Sequence, residues 1–373
     1  MADPRPARPL PGPAPPAARR ASQASISDGA LSGSQPNIPQ AVLNPRVCPA
    51  CGGRYPADFR VCPRDATPLE DAPDDEDPLL GQVLAGSYEV VRVIGEGGMG
   101  KVYEARHSRL HNKRFAVKVL HGELARQPDV VTRFQREAEA ASVLTHPNVV
   151  GVFDVNVSQD GAPYIVAELL EGEELGDYLD RVGKLPVPEA VRVVRQVCRA
   201  LGAAHAQGIV HRDVKPENVF LVGQGGTVKV LDFGISKVGD SQGLTQTGTV
   251  MGTPDYMAPE QARGDRVDAR ADVYAVGAVA YTMLTGRRMF AATDDLALTS
   301  QILNEAPMPL AEAASQPIPP ELEHLVMSCV AKRREHRTQR VADLAEAFEA
   351  LALEHRWTQA DAEAWWSKLP KAA

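Results

Sequence analysis

The run "VIGEGGMGKVYEARH", from Val93 to His107, restricts the fold more than any other stretch of this chain. Gly95, Gly97 and Gly100 stand in G-x-G-x-x-G spacing, which lets a backbone approach a polyphosphate closely and aim N–H groups at it. The same spacing occurs in dinucleotide-binding turns, but there a helix must follow the glycines. Here the cluster lies between two short β-branched runs, "YEVVRVIG" and "KVYEARH". The pattern predicts a β-hairpin closing over phosphates, with Val102 placed to cover a base.

Neighbouring segments extend the strand pattern. "RFAVKVL" and "PYIVAELL" are short and β-branched, and a helical segment from Asp129 to Leu144 interrupts them. After Pro188 helices dominate. "EAVRVVRQVCRALGAAHAQG" carries Val191, Val194, Val197, Cys198 and Leu201 at helical spacing, with Gly208 as its stop. "ELEHLVMSCVAK" repeats the pattern with Leu322, Leu325, Val326 and Cys329, so Cys198 and Cys329 read as core residues. A strand-rich lobe followed by a helix-rich lobe predicts an α+β architecture with a cleft between them.

Four groups of polar residues fall in this frame. "FAVKVL" places Lys118 in an apolar strand. "RFQREAEA" offers Glu137 and Glu139, which two residues apart cannot share a helix face. "HRDVKPEN" brings Asp213, Lys215 and Asn218 within six residues, and "LDFG" adds Asp232. Such a set can hold a proton, a phosphate and a hard cation, which needs oxygen ligands.

Glycine loop, lysine, HRD…N and DFG, in this order and spacing, resemble the eukaryotic-like (Hanks-type) serine/threonine protein kinases of bacteria. The resemblance implies a two-lobed protein kinase fold over 87–353, with a small β-rich N-lobe carrying one key helix (87–168) and a larger helical C-lobe (171–353). It also implies transfer of the ATP γ-phosphate to Ser/Thr hydroxyls of protein substrates with Mg2+ (or Mn2+). Asp213 would accept or orient the substrate hydroxyl, Lys215 would bind the transferring phosphate, and Asn218 and Asp232 would hold the metal. Lys118 would bind ATP phosphates, held by a carboxylate that the "F-x-R-E-A" context assigns to Glu137. ATP would be contacted by Ile94, Gly95, Gly97, Gly98, Gly100, Val102, Ala116, Lys118, Glu168, Leu170 and Phe220. Ala167 falls at the rear of the adenine pocket, where larger residues are usual, so a deeper pocket is expected. Lys215 and "GTPDYMAPE" indicate the serine/threonine type. In that type Thr253 would bond near Asp213 and Lys215, Glu260 would pair with Arg337, and Asp272 would brace the catalytic loop.

Arg212 raises a separate question, because a fixed positive charge beside Asp213 lowers the basicity of the aspartate. Between DFG and APE, "ISKVGDSQGLTQTGTVMGTPDY" carries Thr245 and Thr247, matching the T-x-T pair that kinases of this type autophosphorylate. A phosphothreonine prefers arginine, so Arg212 is its expected recipient, in cis or between self-associated molecules.

Outside the kinase-like region the texture differs. Residues 1–45 hold ten of the thirty prolines and are expected to be disordered. Residues 46–70 carry Cys48-x-x-Cys51 and Cys62-x-x-Asp65 and resemble the zinc-ribbon segments ahead of some bacterial kinase domains. That resemblance implies Zn2+ on Cys48, Cys51, Cys62 and Asp65 and a partner-binding role, the alternative being a degenerate ribbon with unbound cysteines. Residues 71–86 read as an acidic linker. Residues 354–373 read as a helical tail capped by Thr358, whose Trp357, Trp365 and Trp366 would pack on the helical lobe. The net charge of −8 argues against a nucleic-acid or anionic-membrane binder. No apolar run reaches the roughly 18 residues of a membrane span. Five cysteines and no signal-peptide pattern suit a reducing, cytoplasmic setting. A scaffolding pseudokinase would be expected to lack Lys118, Asp213 or Asp232. A small-molecule kinase would lack the long loop and the APE anchor.

Overall fold

The structure, a computed structural model, describes residues 46–50, 54–55, 59–64, 66–71, 77–223, 226–233, 254–292, 294–354, 361 and 364. By internal contacts the chain divides into two units, Met1–Asp75 and Glu76–Ala373. In the first, β1 (Arg46–Val47), β2 (Arg54–Tyr55) and β3 (Glu70–Asp71) form an antiparallel sheet in the order β2-β1-β3. Cys48, Cys62 and Leu69 make its buried cluster among the described residues. A tight turn follows Cys62: the Ala66 amide donates to the Cys62 carbonyl at 2.9 Å, and Ala66 takes φ +56°.

The second unit opens with β4 (Val83–Leu84), β5 (Tyr88–Glu96), β6 (Gly100–His107) and β7 (Arg114–Leu120). Then come α1 (Gly122–Ala125), α2 (Pro128–Ser142), β8 (Val152–Val157) and β9 (Pro163–Glu168). The strands pair antiparallel in the order β4-β5-β6-β7-β9-β8. Alternation sends Val90, Tyr103, Ala105, Val117, Val119, Tyr164 and Val166 into one core, together with Leu79 and Leu84. Ile165 and Leu120 pack instead on Phe134 and Ala138 of α2. Because Leu79 and Leu84 are buried in the lobe and β4 pairs with β5, residues 77–86 are lobe structure, not the end of a linker. Their apolar burial outweighs the acidic composition that suggested a spacer.

The β5–β6 hairpin holds the glycine cluster, with its ladder running out to Glu96 opposite Lys101. The Gly97 amide donates to the Gly100 carbonyl at 2.9 Å. Gly100 is dictated by space, since a Cβ there would lie 2.0 Å from the Val119 carbonyl oxygen.

The larger lobe contains β10 (Gly172–Glu174), α3 (Leu175–Val182), α4 (Val187–Ala206), β11 (Val219–Val222) and β12 (Val228–Val230). Further along the chain lie α5 (Pro259–Ala262), α6 (Arg270–Thr285), α7 (Asp295–Asn304), α8 (Leu310–Ala313), α9 (Pro320–Cys329) and α10 (Val341–Glu354). Every residue of α6 from Ala271 to Thr285 is buried, so it is the central helix of the lobe. Cys198 of α4 and Cys329 of α9 are fully buried, and burial pushes both thiols up, that of Cys329 to about 12. Between the lobes, Val149 and Val230 form a parallel bridge, and Lys229 Nζ lies 2.7 Å from Glu168 Oε2. The architecture is the two-lobed α+β arrangement expected from the sequence.

Candidate active site

Residues directly opposed across a ladder share a face of the sheet. Val102, Lys118 and Ile165 are in register across β6, β7 and β9, and Ala116 stands opposite Ala167. From this face Lys118 reaches across the cleft, its Nζ 2.7 Å from Asp232 Oδ2. Burial alone would push the Asp232 carboxyl up and the lysine down. Their mutual attraction reverses both, holding Asp232 below its usual range and Lys118 above. Glu137 of α2, the carboxylate assigned to Lys118 from sequence, acts on the pair through space. The direct contact goes to Asp232, the more readily ionised of the two carboxylates. Burial and the charge of Asp232 push Glu137 up to about 7 despite the nearby lysine.

The loop between α4 and β11 is shaped from beneath. Asp272 of α6 is fully buried and accepts the backbone amides of His211 at 2.9 Å and Arg212 at 2.8 Å. His205 Nε2 lies 2.7 Å from the same carboxylate. A buried carboxylate with this many donors fixes the backbone it touches. That hold sustains φ +65° at Arg212, a left-handed conformation unusual for a side-chain-bearing residue. Asp213 follows, its Oδ2 3.2 Å from Lys215 Nζ. Asn218 Nδ2 donates to the Asp213 carbonyl at 2.8 Å and to its carboxylate at 3.3 Å, which leaves Asn218 Oδ1 to serve as an oxygen ligand. Asp232 also has positive φ, +39°, and the buried ring of Phe233 sits 4.7 Å from that of His211.

Two further ties lie beside the loop, the first bonded to it directly and the second holding α5, which carries that first tie. Gln261 Nε2 donates to the Arg212 carbonyl at 2.9 Å while its Oε1 accepts the Ala258 amide at 3.1 Å. Glu260 and Arg337 are both buried and form a two-pronged pair at 2.6 and 2.8 Å. Arg337 also donates to the carbonyls of Ala331 at 2.8 Å and Arg270 at 2.9 Å. Arg212 itself keeps a buried Nε with no hydrogen-bond partner among the described residues.

On the glycine side, Ile94 and Gly95 lie at the end of β5, and a Cβ added at Gly97 or Gly98 would meet nothing within 4 Å. The hairpin tip is held by His121, whose Nε2 is 3.0 Å from the Gly97 carbonyl and whose amide donates to the Met99 carbonyl at 3.0 Å. Glu168 has its carboxylate engaged by Lys229 and, at 3.3 Å, by the Gly151 amide. Leu170 and Phe220 are half-buried, Phe220 opposite Glu174. Cys51, Asp65, Thr245, Thr247, Thr253 and the tryptophans of the tail lie outside the described residues. Among the described residues no group of three or more His, Cys, Asp or Glu side chains is arranged to hold a metal. His205, Gln261 and Lys229 were not picked out from sequence. Gln261 directly follows the APE triplet, a usable signal, whereas His205 reads as an ordinary last-turn histidine.

Comparison with known proteins agrees with this geometry. A model of the protein kinase domain matches residues 88–357. The chain is 40% identical over 328 residues to the serine/threonine-protein kinase Pkn1 of Myxococcus xanthus, covering 83% of this chain and 46% of that protein. It is 42% identical over 265 residues to the serine/threonine-protein kinase PknB of Mycobacterium leprae, covering 70% of this chain and 42% of that protein. The chain thus spans about half or less of the length of these two relatives. Among solved structures, the Mycobacterium tuberculosis PknI kinase domain superposes with a TM-score of 0.57 at 30% identity, covering 72% of this chain and 98% of that one. With the family match spanning most of the chain, and lobes, glycine hairpin and loops arranged as described, this chain belongs to the protein kinase family.

Proposed function

We propose that this chain transfers the γ-phosphate of ATP to serine and threonine hydroxyls of bacterial protein substrates. The observation that carries the reading is that the Lys118–Asp232 pair, on the sheet face shared with Val102, lies within electrostatic reach of Asp213, which is tied to Lys215 and Asn218. Asp213 takes or orients the proton of the attacking hydroxyl, and Lys215 neutralises the phosphate as it moves. Asp232 and Asn218 Oδ1 are hard oxygen donors suited to Mg2+ (or Mn2+), which when bound supplies charge neutralisation to the phosphates. Lys118 and the amides of the hairpin hold the nucleotide, and the small Ala116 and Ala167 leave depth at the adenine end. The test is incubation of wild type and Asp213→Asn with labelled ATP and Mg2+, followed by mapping of the sites. The variant should lose about 10²–10⁴-fold in transfer rate while still binding nucleotide. Equal rates would overturn the reading.

Regulation belongs to the same proposal. The orphaned Nε of the Arg212 guanidinium supports an anion arriving from the segment that carries Thr245 and Thr247. The Thr245→Ala/Thr247→Ala double variant should phosphorylate substrate more slowly than wild type, in cis or through self-association. A rate equal to wild type removes this part.

The N-terminal unit is read as a zinc-dependent partner-binding module. Cys48 and Cys62 are buried together, and the Arg64 amide donates to Cys62 Sγ at 3.4 Å. With so small a core, metal ligation through Cys48, Cys51, Cys62 and Asp65 would supply the folding free energy. Purified chain should release about one zinc per molecule on denaturation, and less than about half an equivalent contradicts the assignment. A reducing, cytoplasmic setting completes the proposal.

A further inference from the structure

Asp77 lies in the acidic run "EDAPDDEDP" and is the second residue of the unit that holds the active site. Its carboxylate is nearly buried, with a side-chain exposure of 9%. It receives Lys101 Nζ at 2.9 Å, the Tyr103 hydroxyl at 3.0 and 3.1 Å, and the Leu79 amide at 3.1 Å. Lys101 and Tyr103 flank Val102 on β6, and strand alternation puts them on the opposite face. Val102 shares the cleft face with Lys118, while Tyr103 points into the core that holds Leu79. Asp77 therefore grips the glycine hairpin from behind, at the two residues that bracket the one covering the base. His121 holds the tip of the same hairpin through Gly97 and Met99.

A fully exposed ion pair would count for little. Here the carboxylate is shielded and takes three donors, and charge-assisted bonds of this kind are among the strong ones. Leu79 and Leu84 already secure the segment through apolar burial. The charge on Asp77 is not needed for that, which leaves it to fix the height of the hairpin.

We propose that Asp77 is a positioning residue for the nucleotide, acting through Lys101 on the glycine hairpin, so that the segment leading into the lobe sets nucleotide affinity. This rests on the kinase reading above. A glycine hairpin held only by its ladder hovers over more positions, and each competes with the one that binds phosphate.

The experiment uses the full-length chain and two readouts: steady-state KM and kcat for ATP with a peptide acceptor, and the Kd of a fluorescent ATP analogue measured without turnover. Asp77→Asn keeps an acceptor for Tyr103 and Leu79 but removes the nearer of the two charges that Lys101 meets, the other being Glu96 at 3.9 Å. It should raise both the KM for ATP and the analogue Kd by about fivefold, with kcat and the acceptor KM within about twofold of wild type. Lys101→Met should shift the same quantities in the same direction, Lys101→Arg should restore them, and the Asp77→Asn/Lys101→Met double variant should be no worse than the worse single variant. A lowered melting temperature with unchanged KM and Kd would make Asp77 purely structural and overturn the proposal. So would independent, additive effects of the two substitutions. If Asp77→Asn is too unstable to assay, Lys101→Met carries the test, because that lysine is one-third exposed. Wild type that binds no nucleotide contradicts the kinase reading, whereas wild type that binds and variants that match it contradict this one.

Discussion

Glu137 is a carboxylate whose ionisation is set by burial and by the charges around it. Burial, then the charge of Asp232, lift it to about 7 from an ordinary value of 4.5, with Asp213 adding to the rise. Between those values the folded chain binds a proton that the unfolded chain has released, so stability falls as pH rises through that window and stays lower above it. Glu137→Gln removes the loss. In urea titrations without divalent cation, its unfolding free energy relative to wild type should climb from pH 4.5 to about 7 and then level off. A difference independent of pH would show that Glu137 does not titrate there. Side chains at this scale were legible where the residue type and its immediate neighbours sufficed: Lys118 in "FAVKVL", Asp213 and Asn218 in "HRDVKPEN". Which carboxylate Lys118 touches was not legible, because α2 and the loop of Asp232 both approach it and only packing ranks them.

Elements were readable to the extent that one face repeats with a fixed period. The β5–β6 hairpin follows from a period-two pattern, and α4 and α9 from helical ones, α4 with Gly208 beyond its end. Residues 77–86 were not, since "DPLLGQVLAG" is too short and glycine-broken to show a period and follows directly on the acidic run. α6 shows a different limit: buried all round, it has no polar face to read, and its contacts are set by volume. At Gly277 a Cβ would lie 2.6 Å from Cys329 Cβ and 2.8 Å from Val330 Cγ1, so α6 and α9 meet there with no room between them. Gly277→Ala gains about 1 kcal/mol in helix propensity. Forcing the helices apart costs about 1–3 kcal/mol, and the clash with Cβ and backbone-anchored atoms puts this site toward the upper end. Net destabilisation of about 1–2 kcal/mol is expected in chemical denaturation. A variant as stable as wild type would mean that α9 shifts freely.

At the scale of the molecule, the ion pair of Glu260 and Arg337 ties α5 to the segment before α10 across 77 residues of chain. Both side chains are almost wholly buried. Removing one partner leaves a buried charge uncompensated, which costs about 3–5 kcal/mol. Glu260→Gln and Arg337→Met should each destabilise by that order, while the double replacement Glu260→Leu/Arg337→Met should cost less than either. Because α5 also carries Gln261, bonded to the Arg212 carbonyl, the single variants should lower kcat before they unfold the chain. Denaturation curves and initial rates on the same preparations check both statements. Full activity in a destabilised Arg337→Met would separate the anchor from the catalytic loop.

By itself the sequence determined the chemistry on offer and its order: a glycine hairpin, a lysine strand, an acid–lysine–asparagine loop and a second carboxylate, on a strand-rich lobe followed by a helical one. These are local properties, fixed by backbone periodicity and by residues a few positions apart. Tertiary structure alone decided two of the pairings. Lys118 meets Asp232 across 114 residues, and Asp77 takes Lys101 and Tyr103 across 24 and 26. No spacing rule governs such contacts. They follow from which buried charges must be satisfied once the lobes have packed.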